Sequence, residues 1–131
     1  MKAELSREVG ELGARPYRRG LHVVVDGEGL VAAPLHDMVG FKSMVEEQVA
    51  MLGLVSVGAV HHAFPNAGFT SVVCLTESHI SIHTWPEHGR VTFDVFISNF
   101  ERDNAQAVEA LCNSIMQLMG QGNWTVQRLL R

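Results

Sequence analysis

Leu21-His22-Val23-Val24-Val25-Asp26 is a β-branched run stopped by Gly27 and Gly29, the pattern of a strand. From His36 the period changes. Met38, Phe41, Val45, Val49 and Leu52 recur every three to four positions, with Lys42, Glu46 and Glu47 off that stripe, which predicts an amphipathic helix ending at Gly53. Leu54 to His61 predicts a second strand and Phe64-Pro65-Asn66-Ala67-Gly68 a loop. Thr70 to Leu75 reads as a third strand, and His79 to Thr84, alternating and closed by Pro86 and Gly89, as a fourth. Arg90 to Ile97 supplies a fifth. Asp103 is placed to cap a second helix with Gln106 at the capping-box position, and Val108, Leu111, Cys112, Ile115 and Leu118 form its apolar stripe. Gly120 and Gly122 stop that helix, and Trp124 to Leu129 predicts a last strand.

The order β-α-β-β-β-β-α-β predicts an α+β fold, a two-layer α/β sandwich in which two helices cover one face of a largely antiparallel sheet. The other face then needs water or a second subunit. Residues 1–19 are mixed and polar, broken by Gly10, Gly13 and Pro16, and read as a leader before one domain of residues 20–131.

Composition narrows the function classes. A net charge of -4 argues against a nucleic-acid partner, and the basic stretch from Arg15 to Arg19 is too short for a backbone-binding stripe. No apolar run reaches membrane-spanning length, and Lys2, Glu4, Arg7, Glu8 and Glu11 occupy the place of a signal-peptide core, so a cytoplasmic location is expected. Cys74 and Cys112 are the only cysteines, both in apolar runs that read as core, with no disulfide framework.

The chemistry concentrates in residues 77–88, which hold three of the seven histidines. A metal site is not expected, because His79 and His83 share a strand face but stand well apart, and the adjacent His61 and His62 point in opposite directions. A Ser-His-acid hydrolase can be drawn from Ser78, His83 and Glu87 or Asp94, but no Gly-x-Ser-x-Gly elbow exposes the serine. A third chemistry turns Ser78 on its own backbone. Its Oγ attacks the Glu77 carbonyl carbon to form an ester, and removal of the Ser78 α-proton expels the Glu77 carboxylate to leave dehydroalanine, which tautomerises and is hydrolysed by water, with loss of ammonia, to a pyruvoyl group.

The segment from Thr76 to Glu87 resembles, almost residue for residue, the processing and active-site segment of the prokaryotic S-adenosylmethionine decarboxylase proenzymes. The likeness extends through Gly20-Leu21-His22, Phe64, the Gly68 loop, Asp94-Val95-Phe96 and the second helix, about residues 20–130. It implies cleavage between Glu77 and Ser78 into a β chain of residues 1–77 and an α chain of residues 78–131, assembled as an (αβ)2 homodimer. It also implies a covalent pyruvoyl cofactor made from Ser78, without pyridoxal phosphate or metal, and decarboxylation of S-adenosylmethionine to supply the aminopropyl donor for spermidine. Carried over by position, His83 assists processing and Thr70 stands near the processing oxyanion. Phe64 and Trp85 line the nucleoside pocket, with core or dimer packing as the lesser alternative for such aromatics, and Glu87 accepts from the ribose hydroxyls.

One position departs from the family. Ser98 stands where these proteins usually carry a catalytic cysteine, and a hydroxyl is a poorer proton donor than a thiol. Ser98 acting directly or through water, or Cys74, His79 or His61 acting instead, all remain open from sequence. So do two alternatives: a pyruvoyl-dependent ornithine or arginine decarboxylase, in which Glu87 or Asp26 would hold the distal cation, and an uncleaved regulatory homologue.

Overall fold

The computed structural model describes residues 16–100 and 102–131. Most of the expected 1–19 leader therefore lies outside the described residues. The elements are β1 (Leu21–Glu28), α1 (Ala32–Leu35), α2 (Met38–Met51), β2 (Ser56–Ala63), β3 (Phe69–Leu75), β4 (Ser78–Trp85), a 3-10 turn (Pro86–His88), β5 (Arg90–Ile97), α3 (Ala105–Met119) and β6 (Asn123–Leu130). The six strands form one antiparallel sheet in the order β2-β3-β4-β5-β1-β6. Both long helices lie on the same face, α2 against β2 and β3 and α3 against β1 and β5, so the two-layer α+β sandwich is observed as expected.

Strand periodicity explains the layers. Val91, Phe93, Val95 and Ile97 of β5 alternate inward with Val23 and Val25 of β1 and Ile80 and Ile82 of β4, and all are buried. Phe41, Val45 and Val49 of α2 and Val108, Leu111, Cys112 and Ile115 of α3 close over them. Phe41 meets Phe69 of β3 with ring centroids 5.6 Å apart. Among the described residues the opposite face carries no helix, and it presents His22, His79, Ser81, His83, Trp85, Asp94 and Phe96.

Several boundaries differ from the sequence expectation for identifiable reasons. β2 begins at Ser56 rather than Leu54, because Leu54 is buried beneath the end of α2, its N–H bonded to the Val49 carbonyl. The short helix α1 has no apolar period to announce it. Helix α3 is capped by Asn104 rather than Asp103, although the Asp103 carboxylate still accepts from the Ala105 N–H at 2.9 Å. Cys112 is core as expected, whereas Cys74 is exposed: it occupies an outward position of β3, opposite His79.

Turn geometry positions the later chemistry. The loop from Phe64 to Gly68 closes with the Phe64 N–H on the Gly68 carbonyl at 2.9 Å, and Gly68 lies against the Thr84 backbone where a Cβ would collide. That contact seats Phe64 beside the end of β4.

Candidate active site

Thr76 and Glu77 alone connect β3 to β4, with Leu75 paired to Ser78. So tight a hairpin needs a residue at positive φ, a role normally given to glycine or asparagine. No glycine is present here, and Ser78 itself adopts φ 134°. A side chain in that region is held against a local cost of about 1–3 kcal/mol. The strain falls on the residue whose peptide bond the sequence marks for cleavage.

Across the sheet, β5 runs antiparallel to β4 and sets Ile97 opposite Ser78. The next residue, Ser98, therefore meets the turn. Its N–H donates to the Glu77 carbonyl oxygen at 2.8 Å and its hydroxyl donates to the same oxygen at 3.1 Å. Two donors converging on one carbonyl oxygen are the arrangement that stabilises the negative charge of a nucleophilic attack on that carbon.

The other expected residues assemble elsewhere. His83 Nδ1 lies 2.8 Å from Thr70 Oγ1 on the neighbouring strand. Both line a cavity of about 340 Å³ with Phe64, Ala67, Gly68, Thr84, Trp85 and Glu87. Phe64 and Trp85 are 47% and 37% exposed, which is high for large aromatics outside an interface or binding site. The cavity thus joins two open ring surfaces, an acid and a hydrogen-bonded Thr-His pair. His83 is five strand positions from Ser78, roughly 16 Å along β4. Within one chain the structure therefore gives two half-sites, with Glu77, Ser78 and Ser98 at one end of β4 and Thr70, His83, Phe64, Trp85 and Glu87 at the other. The Ser-His-acid arrangement does not form within the chain, since His83 bonds Thr70 and Asp94 is engaged by other groups.

Those groups form a cluster that strand spacing alone did not reveal. Asp94 Oδ2 lies 2.7 Å from His22 Nε2 and 2.6 Å from His79 Nε2, and the Ser81 hydroxyl donates to Oδ1. The Arg131 guanidinium, 3.2 Å from His22 Nδ1, can only donate there, so Nε2 of a neutral His22 carries the proton offered to Asp94. Burial alone would raise the Asp94 carboxyl, but the hydrogen bonds from Ser81, His79 and His22 outweigh it and hold it below its ordinary value. The three ligand-type side chains lie within 4.8 Å of one another. Of these three the sequence offers only His79 as a ligand candidate, and His22 and Asp94 join it because β4, β5 and β1 are successive neighbours in the sheet.

His61 does not enter either half-site. Its Nδ1 lies 2.7 Å from Ser71 Oγ on the helix-covered side of β2, where burial first and then Lys42 push its pKa down. Burial also pushes the Cys112 thiol up to about 12, an inert core sulfur.

Two outcomes follow. Replacing Ser78 by Gly relieves the strain whereas Ser78→Ala keeps it, so denaturant unfolding is expected to find the glycine variant more stable by about 1 kcal/mol, despite glycine's greater unfolded-state entropy; an equal or lower stability would mean that the turn is relaxed. For Asp94 the native pKa is depressed, so its contribution is complete above the unfolded value near 3.9 and is lost as pH falls through the lower native value. In the Ser78→Ala background, Asp94→Asn is expected to cost about 1–3 kcal/mol at pH 7 and progressively less below about pH 4; a deficit independent of pH would contradict this electrostatic account.

Comparison with known proteins matches this arrangement to one family. Residues 21–131 match the sequence pattern described as S-adenosylmethionine decarboxylase. A relative from Aquifex aeolicus (strain VF5), an S-adenosylmethionine decarboxylase proenzyme, is 37% identical over 99 residues, 76% of this chain and 71% of its own length. The proenzyme of the same name from Archaeoglobus fulgidus is 39% identical over 77 residues, 59% of this chain and 69% of its own length. The crystal structure of the adenosylmethionine decarboxylase from Aquifex aeolicus VF5 superposes with a TM-score of 0.76 at 28% identity, covering 88% of this chain and 92% of that one. With its antiparallel sheet, its strained Glu77–Ser78 hairpin and this degree of likeness, the chain belongs to the S-adenosylmethionine decarboxylase family.

Proposed function

We propose that this chain cleaves itself between Glu77 and Ser78, giving a β chain of residues 1–77 and an α chain of residues 78–131, and then decarboxylates S-adenosylmethionine. The observation that carries the reading is the Glu77 carbonyl oxygen held by both the N–H and the hydroxyl of Ser98, next to a serine at φ 134°. Attack by Ser78 Oγ on the Glu77 carbon moves charge onto that oxygen, and the Ser98 donors are already in place to receive it. The ester that results breaks when the Ser78 α-proton is taken, releasing the Glu77 carboxylate. His83 suits that step because neutral imidazole accepts a proton near pH 7, and the Thr70 hydroxyl at 2.8 Å orients its ring.

Family membership brings a pyruvoyl group as cofactor, and the fit is local: position 78 is where the strain and the oxyanion donors coincide. That group supplies an electrophilic carbonyl for the substrate amine and a sink for the electrons left when carbon dioxide departs. The chain's own residues do the rest. The exposed rings of Phe64 and Trp85 offer stacking surfaces for a nucleobase and π faces for a sulfonium, and Glu87 on the same cavity accepts from ribose hydroxyls. Ser98 thereby gains a role at the self-cleavage step that its reading as a substitute proton donor did not include. Of the two cysteines only Cys74 is exposed, on the helix-free face and opposite His79, so Cys74 and His79 stand beside Ser98 as candidates for protonating product.

The half-sites imply a homodimer. Two sheets facing each other through their helix-free faces about a twofold axis bring the His83 end of one β4 over the Ser78 end of the other, and an isologous interface does this twice. Supporting this is the face itself, which carries Trp85 and Phe96 beside the Asp94 cluster with no helix covering them.

Purified protein is expected to release labelled carbon dioxide from carboxyl-labelled S-adenosylmethionine and not from ornithine or arginine; release from either basic amino acid alone would transfer the reading to that substrate. A Ser78→Ala chain and a His83→Ala chain are each expected to be inactive, while their coexpression restores up to about half of the sites in each heterodimer. No recovery on coexpression would contradict the shared site.

A further inference from the structure

The scissile carbonyl and its two donors lie on separate segments, Glu77 in the β3–β4 turn and Ser98 just beyond β5. One buried side chain ties them together. Asn104, only 1% exposed, donates through Nδ2 to the Glu77 carboxylate (Oε2) at 3.0 Å and to the Ser98 carbonyl oxygen at 2.8 Å. A side-chain amide has two N–H bonds to give, and both are engaged here. With the Ser98 N–H and hydroxyl on the Glu77 carbonyl, these contacts close a ring in which Glu77 and Ser98 are linked once directly and once through Asn104.

Asn104 occupies the N-cap of α3, where an asparagine ordinarily accepts from the second or third helical N–H. It makes no such bond. Instead Asp103 accepts from the Ala105 N–H at 2.9 Å, and Asn99 Oδ1 accepts from the Asn104 N–H at 2.8 Å, fixing the asparagine backbone. Capping does not explain the choice of side chain, whereas the Glu77–Ser98 link does.

We propose that Asn104 is a positioning residue for self-cleavage, holding the Glu77 side chain and the Ser98 peptide in one frame so that the Ser98 N–H and hydroxyl stay aimed at the scissile carbonyl. This rests on the self-cleavage reading above. Loss of a single oxyanion donor costs about 10²–10³-fold in rate, and a misplacement of about 1 Å can cost about 10²-fold, so loosening the frame slows cleavage by at least about tenfold.

Cleavage of the full chain is followed after a pulse of cell-free synthesis. Asn104→Asp keeps the shape but replaces the two donors with an acceptor facing the Glu77 carboxylate, and is expected to slow conversion to two chains by at least about tenfold. Adding Glu77→Gln to that variant restores a donor between positions 77 and 104 with the polarity reversed, and is expected to recover at least about threefold of the rate, roughly 0.65 kcal/mol. Stability is read separately in the Ser78→Ala background, which cannot cleave. A role confined to stability would lower the unfolding midpoint there and gain nothing in rate from Glu77→Gln. Cleavage by Asn104→Asp within about twofold of the parent rate, or a double variant no faster than Asn104→Asp alone, overturns the proposal. If Asn104→Asp does not fold, Glu77→Ala removes the acceptor and leaves Asn104 on Ser98; undiminished cleavage overturns the proposal equally. A parent chain that stays whole would instead defeat the self-cleavage reading itself.

Discussion

The antiparallel pairing of β4 with β5 is the constraint on which the rest of this molecule depends. It places Ile97 opposite Ser78, and so delivers the Ser98 N–H and hydroxyl to the Glu77 carbonyl. A one-residue slip of β4 would turn Ile80 and Ile82 out of the core, and a slip of β5 would do the same to Val91, Phe93, Val95 and Ile97. The hydrophobic core under α2 and α3 therefore fixes, at the end of the same ladder, which residue of β5 meets the Glu77 carbonyl. Local strain at Ser78 persists because the strands on either side of the hairpin are locked in this way.

The same sheet separates the polar chemistry by face. Inward residues are almost wholly apolar, while the outward positions of β1, β4 and β5 gather His22, His79, Ser81 and Asp94 into a hydrogen-bonded cluster. That cluster keeps Asp94 ionised and gives the helix-free face a fixed charge pattern between the two half-sites. In the proposed homodimer a second sheet laid against it would meet both a polar centre and the open rings of Trp85 and Phe64. The N-terminus of α3 contributes from the opposite layer through Asn104, so both layers reach the Glu77–Ser78 turn.

Much of this was legible in the sequence because it is local. Alternation marked β4 and β5, the three-to-four spacing of Phe41, Val45 and Val49 marked α2, and the Thr76 to Glu87 segment carried the family. What was not legible is what register and tertiary contact decide. Cys74 lies in an apolar run that reads as core, yet strand parity turns it outward. His22 and Asp94 are 72 positions apart and meet only because β1 and β5 are neighbours. The sequence put the α3 cap at Asp103, and nothing local marks Asn104, which meets Glu77 only in the folded chain. The separation of Ser78 from His83 could have been read from five strand positions, but the resemblance grouped them as one site.

The central claim is that this strained, donor-held peptide bond breaks. Intact-mass measurement of the purified protein under denaturing conditions tests it most directly. The account predicts two chains, one ending in a free carboxylate at Glu77 and the other beginning at position 78 with a pyruvoyl group and no free amine; a single mass equal to the uncut 131-residue chain would contradict it.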